Sequence, residues 1–188
     1  MNNRNEVENL QKELRGISDE VRSHFGGLSR EQLNWQPSVD RWSVAQCFDH
    51  LINTNASYFP VFESVASGTF DQTFVQKLPG VHKMWGKLLI KSLDPKTTRK
   101  LKAPKRFEPA SSDLSGSIID DFVKNQNRVV DSMDKAKNLE VGRIIISSPA
   151  AAMITYSLLD AFRIIAVHEQ RHFQQAQRVT QEANFPNQ

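Results

Sequence analysis

Apolar residues recur every three or four positions through much of this chain, and that spacing is typical of amphipathic helices. Near the start, the repeat runs through Val7, Leu10, Leu14, Ile17, Val21 and Leu28. The Gly26-Gly27 pair interrupts it, as glycine commonly does where a helix ends. The pattern therefore predicts a first long helix that ends near these two glycines.

Two capping boxes predict further helix starts. In this motif a Ser or Thr and a Glu or Gln three residues later hydrogen-bond each other's backbone N–H groups. Ser29 with Gln32 predicts a short helical turn, and Ser43 with Gln46 opens a second long helix. Pro60 predicts a kink or an interruption in that second helix. Its apolar side carries Val44, Cys47, Phe48, Leu51, Asn55, Tyr58 and Phe62.

The rest of the chain predicts two more long helices, over about residues 114–133 and 157–180. Gln126 falls on the apolar face of the third helix, either at the edge of the core or facing a central site. Residues 68–112 form a long connection with one short helix near Val81–Leu93 and irregular backbone after it. The isoleucines at 144–146 fit either a short strand or a buried loop.

These elements predict an all-α fold, a four-helix bundle in one domain over residues 1–188. The length suits a single core, and no internal repeat is visible. The connection at 68–112 is long enough to act as a crossover between helices 2 and 3, which would then run parallel.

Charge gives little sign of a nucleic-acid partner. The net charge is +3, and basic residues are concentrated only within residues 96–106, which hold Lys96, Arg99, Lys100, Lys102, Lys105 and Arg106. We interpret this stretch as a solvated loop, with a lip that attracts an anionic substrate as the alternative. We therefore expect no nucleic acid and a small-molecule substrate.

The single cysteine, Cys47, allows no disulfide within the chain and suits a reducing cytoplasm. We interpret it as a small core residue. The N-terminal segment lacks the apolar stretch of a signal peptide. No apolar run approaches the roughly 20 residues that span a bilayer, so we expect a cytoplasmic protein without a membrane partner.

His168 and His172 are the most informative candidate site residues. Residues four apart on a helix lie about 40° apart on one face, and here that face also carries Leu158, Ala161, Ile165 and Ala176. Two imidazoles in an apolar interior need partners, and a shared metal ion would provide one. The alternative is that each histidine separately bonds a buried carbonyl or carboxylate group.

Two other metal motifs fit this segment poorly. Residues 168–172, HEQRH, match the H-E-x-x-H of metalloproteases, but Gln175 and Arg178 stand where a metzincin needs Gly and His. Too little chain follows for the carboxylate ligand of a thermolysin-like enzyme. Glu169 and His172 also match half of a di-iron motif, but no second copy is present.

A third ligand has to come from another helix. His50 lies at the edge of the apolar stripe of the second helix, and His24 lies near the seam of the first. His82 lies in the long connection and is the weakest candidate. Spacing alone favours His50 but leaves His24 open.

Residues 42–51, WSVAQCFDHL, resemble the W-[ST]-x-x-[EQ]-x-x-x-H-[LI] segment of the DinB/YfiT-like superfamily. Residues 168–175, HEQRHFQQ, resemble its H-x-x-x-H-x-x-Q motif on the last helix. In the turn before that helix, Ala152 stands where a Gly is common. The resemblance covers nearly the whole chain, and the two motifs together, far apart in sequence, are fairly specific.

The resemblance implies an up-down-down-up bundle, often a homodimer, with one divalent ion on His50, His168 and His172. The ion would be zinc, nickel, iron or manganese. It also implies a metal-dependent hydrolase, or a thiol transferase that adds a low-molecular-weight thiol, as co-substrate, to an electrophile. We predict Glu169 as a catalytic residue, against the alternative of a solvated or salt-bridged side chain. Other hypotheses are a non-catalytic metal- or ligand-binding stress-response protein and a metal-free helical interaction domain.

Overall fold

The computed structural model describes residues 3–77, 80–97, 103–109 and 113–187. These residues are mostly helical, with one small two-stranded sheet. The chain begins with α1 (Asn3–Phe25), followed by α2 (Arg30–Asn34), α3 (Val44–Ala56) and α4 (Phe59–Ala66). Then come α5 (Val81–Leu93), α6 (Ile118–Ala136), the strands β1 (Ile145–Ser148) and β2 (Ala151–Ser157), and α7 (Leu158–Thr180).

Both predicted capping boxes are confirmed. The Ser29 hydroxyl accepts a hydrogen bond from the Gln32 backbone N–H, and the Ser43 hydroxyl accepts one from that of Gln46. In each box the glutamine side chain reaches back to the N-cap N–H. The predicted second helix is divided into α3 and α4, with Pro60 in the first turn of α4, where its missing N–H is not needed.

The core lies among the long helices. Helix α3 packs against α6 and α7, and α1 packs against the same two helices. Helix α5, which lies inside the predicted crossover, packs against β2 and α7. Large side chains that are fully buried in this core include Phe25, Phe48, Phe122 and Phe162.

A small two-stranded sheet accompanies the helices of the predicted all-α bundle. Strands β1 and β2 pair antiparallel, with Ile146 opposite Tyr156, and residues 149–150 form the turn. The sequence left both a short strand and a buried loop possible for residues 144–146, and it did not predict β2. Ile154, Thr155 and Tyr156 favour a strand locally, but a strand this short is stable only beside a partner and a packed face.

The basic stretch at 96–106 is described only in part. Lys96, Lys105 and Arg106 are exposed, whereas Arg99, Lys100 and Lys102 lie outside the described residues. In the described part of the chain, no helix has the length and apolar character that crossing a membrane requires.

Candidate metal centre

Three histidines from two packed helices meet in the interior of the protein. His50 lies in the second turn of α3, and His168 and His172 lie one turn apart on α7. Their side chains are buried, with 4%, 9% and 7% of each residue exposed. The Ser43 cap fixes where α3 starts, and the packing of α3 on α7 turns His50 toward the other two.

The spacing of the ring nitrogens fits a shared ion. The Nε2 atom of His168 lies 3.1 Å from Nε2 of His50 and 3.1 Å from Nε2 of His172. One possible ligand atom from each residue lies within 4.8 Å of the others. Histidine nitrogens bind zinc at about 2.0–2.1 Å, so two on one ion lie roughly 2.9 Å apart at a right angle and 3.3 Å apart at the tetrahedral angle.

A main-chain carbonyl sets the tautomer of His50. Its Nδ1 lies 2.6 Å from the carbonyl oxygen of Phe107, so Nδ1 carries the proton and donates it. In the neutral ring Nε2 then keeps its lone pair, facing His168. Histidine ligands commonly donate their second nitrogen to such a group. The Nδ1 atom of His172 is buried and makes no hydrogen bond within the described residues, although the nearby Gln175 side chain acts to raise the pKa of His172.

All three imidazoles are neutral near pH 7. Burial, and then the neighbouring His50 and Arg171, lower the pKa of His168 to about 3. Burial and the other two histidines also hold the pKa of His172 well below its usual value. The pKa of His50 is lowered by burial, against the opposing effect of the Phe107 carbonyl. Neutral rings are the form that binds metal.

The sequence of this chain matches a known protein family. Its sequence matches the DinB superfamily over residues 13–176, which is most of its length. The chain belongs to the DinB superfamily. A search of curated proteins found no match, and neither did a search of solved structures.

In this DinB superfamily member an indole ring lies against the histidine cluster. The half-buried ring of Trp42 is nearly parallel to that of His172, at 17°, with 5.6 Å between the ring centroids. It also lies 5.0 Å from the His50 ring. Trp42 directly precedes the cap residue of α3, so the start of that helix places it.

The crossover approaches the centre at two points. One is the Phe107 carbonyl that accepts from His50. The other involves Arg171 of α7, which lies between the two histidines of that helix in sequence. Its guanidinium group donates to the carbonyl oxygens of Asp94 and Thr97, at 3.4 and 3.3 Å. The carbonyl groups of residues 94, 97 and 107, near the two ends of the basic stretch, are therefore hydrogen-bonded to the helices that carry the histidines.

Glu169 is buried beside the cluster, with 0% of the residue exposed. This burial excludes the alternative of a solvated side chain. Its Oε1 accepts a hydrogen bond from Asn55 of α3 at 2.8 Å, and its Oε2 accepts one from Gln126 of α6 at 2.5 Å. Burial raises the pKa of Glu169 to about 8, although both amides act in the opposite direction. Gln126, which the sequence placed either at the edge of the core or facing a central site, is buried and donates to Glu169.

The other candidates lie elsewhere. His24 is exposed and its Nδ1 lies 2.8 Å from the Glu20 carbonyl oxygen on its own helix. His82 lies on α5, and neither residue belongs to the three-residue cluster found in the described chain. Cys47 is fully buried, and burial raises the pKa of its thiol to about 12.

Asn55 and Phe107 contribute to the site but were not predicted from the sequence. Asn55 had a detectable signal, because it is the polar residue in the apolar stripe of α3. Phe107 contributes only its main-chain carbonyl, which every residue possesses, and so its contribution has no side-chain signature.

Proposed function

We propose that this DinB superfamily protein is a metal-dependent enzyme in which His50, His168 and His172 hold one divalent cation. The observation that carries the proposal is the pair of 3.1 Å distances that bring three Nε2 atoms together in a buried position. Three neutral imidazoles suit zinc, nickel or iron better than manganese, which prefers oxygen ligands, and they leave at least one coordination position for a small molecule.

The residues around the cluster support one of two reaction classes, thiol transfer or hydrolysis. A divalent cation held there would supply Lewis-acid activation of water or of a low-molecular-weight thiol. Cys47, with its buried thiol and raised pKa, supplies no nucleophile. Trp42, Phe107 and the crossover residue Asp94, whose carbonyl group accepts from Arg171, would line the approach to the bound ion. They would limit the entry of water.

The catalytic role of Glu169 stays a prediction. Both carboxyl oxygens of Glu169 accept hydrogen bonds from side-chain amides. One of these hydrogen bonds would have to break before Glu169 could transfer a proton to a bound substrate. We also propose one domain over residues 1–188, an up-down-down-up order for α1, α3, α6 and α7, and a cytoplasmic homodimer.

Metal content and turnover test the proposal together. We expect purified protein loaded with zinc or nickel to hold about one ion per chain by elemental analysis, and His168→Ala to lose most of it, because one of three ligands is gone. The loaded protein should also turn over a mixture of small thiols and electrophiles, or a panel of esters and amides.

His24→Ala is the matched control, because this exposed histidine lies outside the cluster and should keep its ion. Equal metal content in the two variants would contradict the ligand assignment. Tight binding without turnover of either substrate class would favour a non-catalytic metal-binding protein.

A further inference from the structure

A second polar cluster joins three helices next to the histidines. Glu169 of α7 accepts from Asn55 of α3 and from Gln126 of α6, at 2.8 and 2.5 Å. Asn55 and Glu169 are 0% exposed and Gln126 is 1% exposed, so water does not compete for these bonds. We call these three residues the amide–carboxyl cluster.

The amide–carboxyl cluster does not satisfy its own hydrogen-bonding groups. The Oδ1 atom of Asn55 and the Oε1 atom of Gln126 are buried and have no hydrogen-bond partner in the described chain. Unpaired buried polar atoms and a buried carboxyl group both cost stability, and apolar side chains in such places are often neutral or better. A contribution to fold stability is therefore a poor explanation for this cluster.

Its position relative to the histidines provides a better explanation. Helices α3 and α7 are connected by polar groups at the histidines and again where Asn55 donates to Glu169. Glu169 directly follows His168 in the chain. At the histidines the lone pair of His50 Nε2 faces Nε2 of His168. Each neutral ring has only one N–H group, so few hydrogen bonds can form between the rings. Before an ion binds, the histidines alone hold the two helices in register only weakly.

We propose that Glu169 is a positioning residue, which with Asn55 and Gln126 sets the separation and axial rotation of α3 and α7 and so preforms the three-histidine centre. This inference rests on the proposed metal-binding function, and it differs from a role for Glu169 in proton transfer. A centre formed in advance binds its ion more tightly, because the ion does not also have to order the helices.

The test is the zinc affinity of Asn55→Ala, measured by competition with a chromophoric chelator on protein shown to be folded by circular dichroism. This substitution removes the hydrogen bond that Asn55 of α3 donates to Glu169 of α7, and it leaves all three histidines in place. We expect the dissociation constant to rise by about 10-fold or more, which is typical for the loss of a group that orients a metal ligand.

Asn125→Ala is the matched control. Asn125 is the neighbour of Gln126 on α6, is also buried, and donates to the Ile52 carbonyl of α3 at 3.4 Å. The substitution therefore removes a buried asparagine amide that joins α3 to α6, not to α7, and it leaves the hydrogen bonds of Glu169 in place. We expect its zinc affinity to stay within about twofold of the unchanged protein, even where its stability falls.

Gln126→Ala provides a second variant should Asn55→Ala not fold, and we expect it to weaken zinc binding in the same direction. The inference is overturned if the folded variants bind zinc as tightly as Asn125→Ala. That result differs from failure of the proposed function, in which the unchanged protein and His168→Ala would bind zinc equally weakly.

Discussion

Cys47 and His50 are one turn apart on α3, but their surroundings give them opposite chemistry. The His50 ring reaches the other histidines, whereas the Cys47 thiol is enclosed by apolar side chains. A thiol reacts as its thiolate, and burial raises the pKa of this thiol to about 12. At neutral pH, Cys47 is therefore a protonated core group.

We predict that native protein at pH 7.5 reacts very slowly with dithiobis(nitrobenzoate), while protein unfolded in guanidinium chloride releases one equivalent of thiol per chain. The reason is the combination of burial and the raised pKa of Cys47. The release of nitrothiobenzoate, followed by absorbance, gives both rates. Rapid labelling of the native protein would restore Cys47 as a candidate nucleophile.

The surroundings of a single side chain are predictable from the sequence mainly where its neighbours are close in the chain. His168 and His172 share a face because helix geometry alone puts them there. Glu169 was harder to interpret, because its partners Asn55 and Gln126 are on other helices. Its burial follows from the packing of those helices, which no local pattern specifies.

Among the elements, α3 matters most for the site because it carries His50 and begins directly after Trp42. Its capping box is buried, and the Gln46 side chain that completes it also accepts a hydrogen bond from Gln36 at 2.8 Å. The cap therefore fixes both the first turn of α3 and the segment before it.

We predict that Ser43→Ala lowers the free energy of unfolding of the metal-free protein by about 1 kcal/mol, because a backbone N–H at the start of α3 loses its acceptor. Urea denaturation followed by circular dichroism measures the change. Ser23→Ala, at an exposed position inside α1, should stay within about 0.5 kcal/mol of the unchanged protein. Similar values for the two variants would mean that the cap contributes little.

The boundaries of helices and strands were predicted well where capping residues mark them. They were predicted less well where the pairing of two strands determines them. Helices α2 and α3 begin where their capping boxes predict, and α7 begins at Leu158, next to its predicted start at residue 157. Strand β2 was missed, because its Ile154 and Tyr156 form a strand only opposite β1. The division of the second helix at Pro60 was foreseen as a kink or an interruption, since proline acts through its own local geometry.

For the whole molecule, metal binding and folding are thermodynamically linked. The three histidines meet only when α3 packs on α7, so an ion that they share binds the folded chain in preference to the unfolded one. Stability should therefore depend on metal concentration.

We predict that free zinc at about 100 times its dissociation constant stabilises the fold by about 2.7 kcal/mol. For a chain of this size, that corresponds to a rise in Tm of roughly 5–10 °C. Scanning calorimetry with and without zinc measures it, and His172→Ala should show almost no rise. An equal rise in the variant would place the bound zinc outside the three-histidine centre.

The sequence alone determined the elements that depend on neighbours within a few residues: the amphipathic helices, their serine caps and the His168–His172 pair on one helix face. It also narrowed the third partner to His50 or His24, and the family resemblance favoured His50. Packing of α3 on α7 brought His50 to the pair and left His24 exposed. Tertiary structure likewise decided the Phe107 carbonyl behind His50 and the amides around Glu169, because these contacts join residues more than 40 positions apart, beyond the reach of local periodicity.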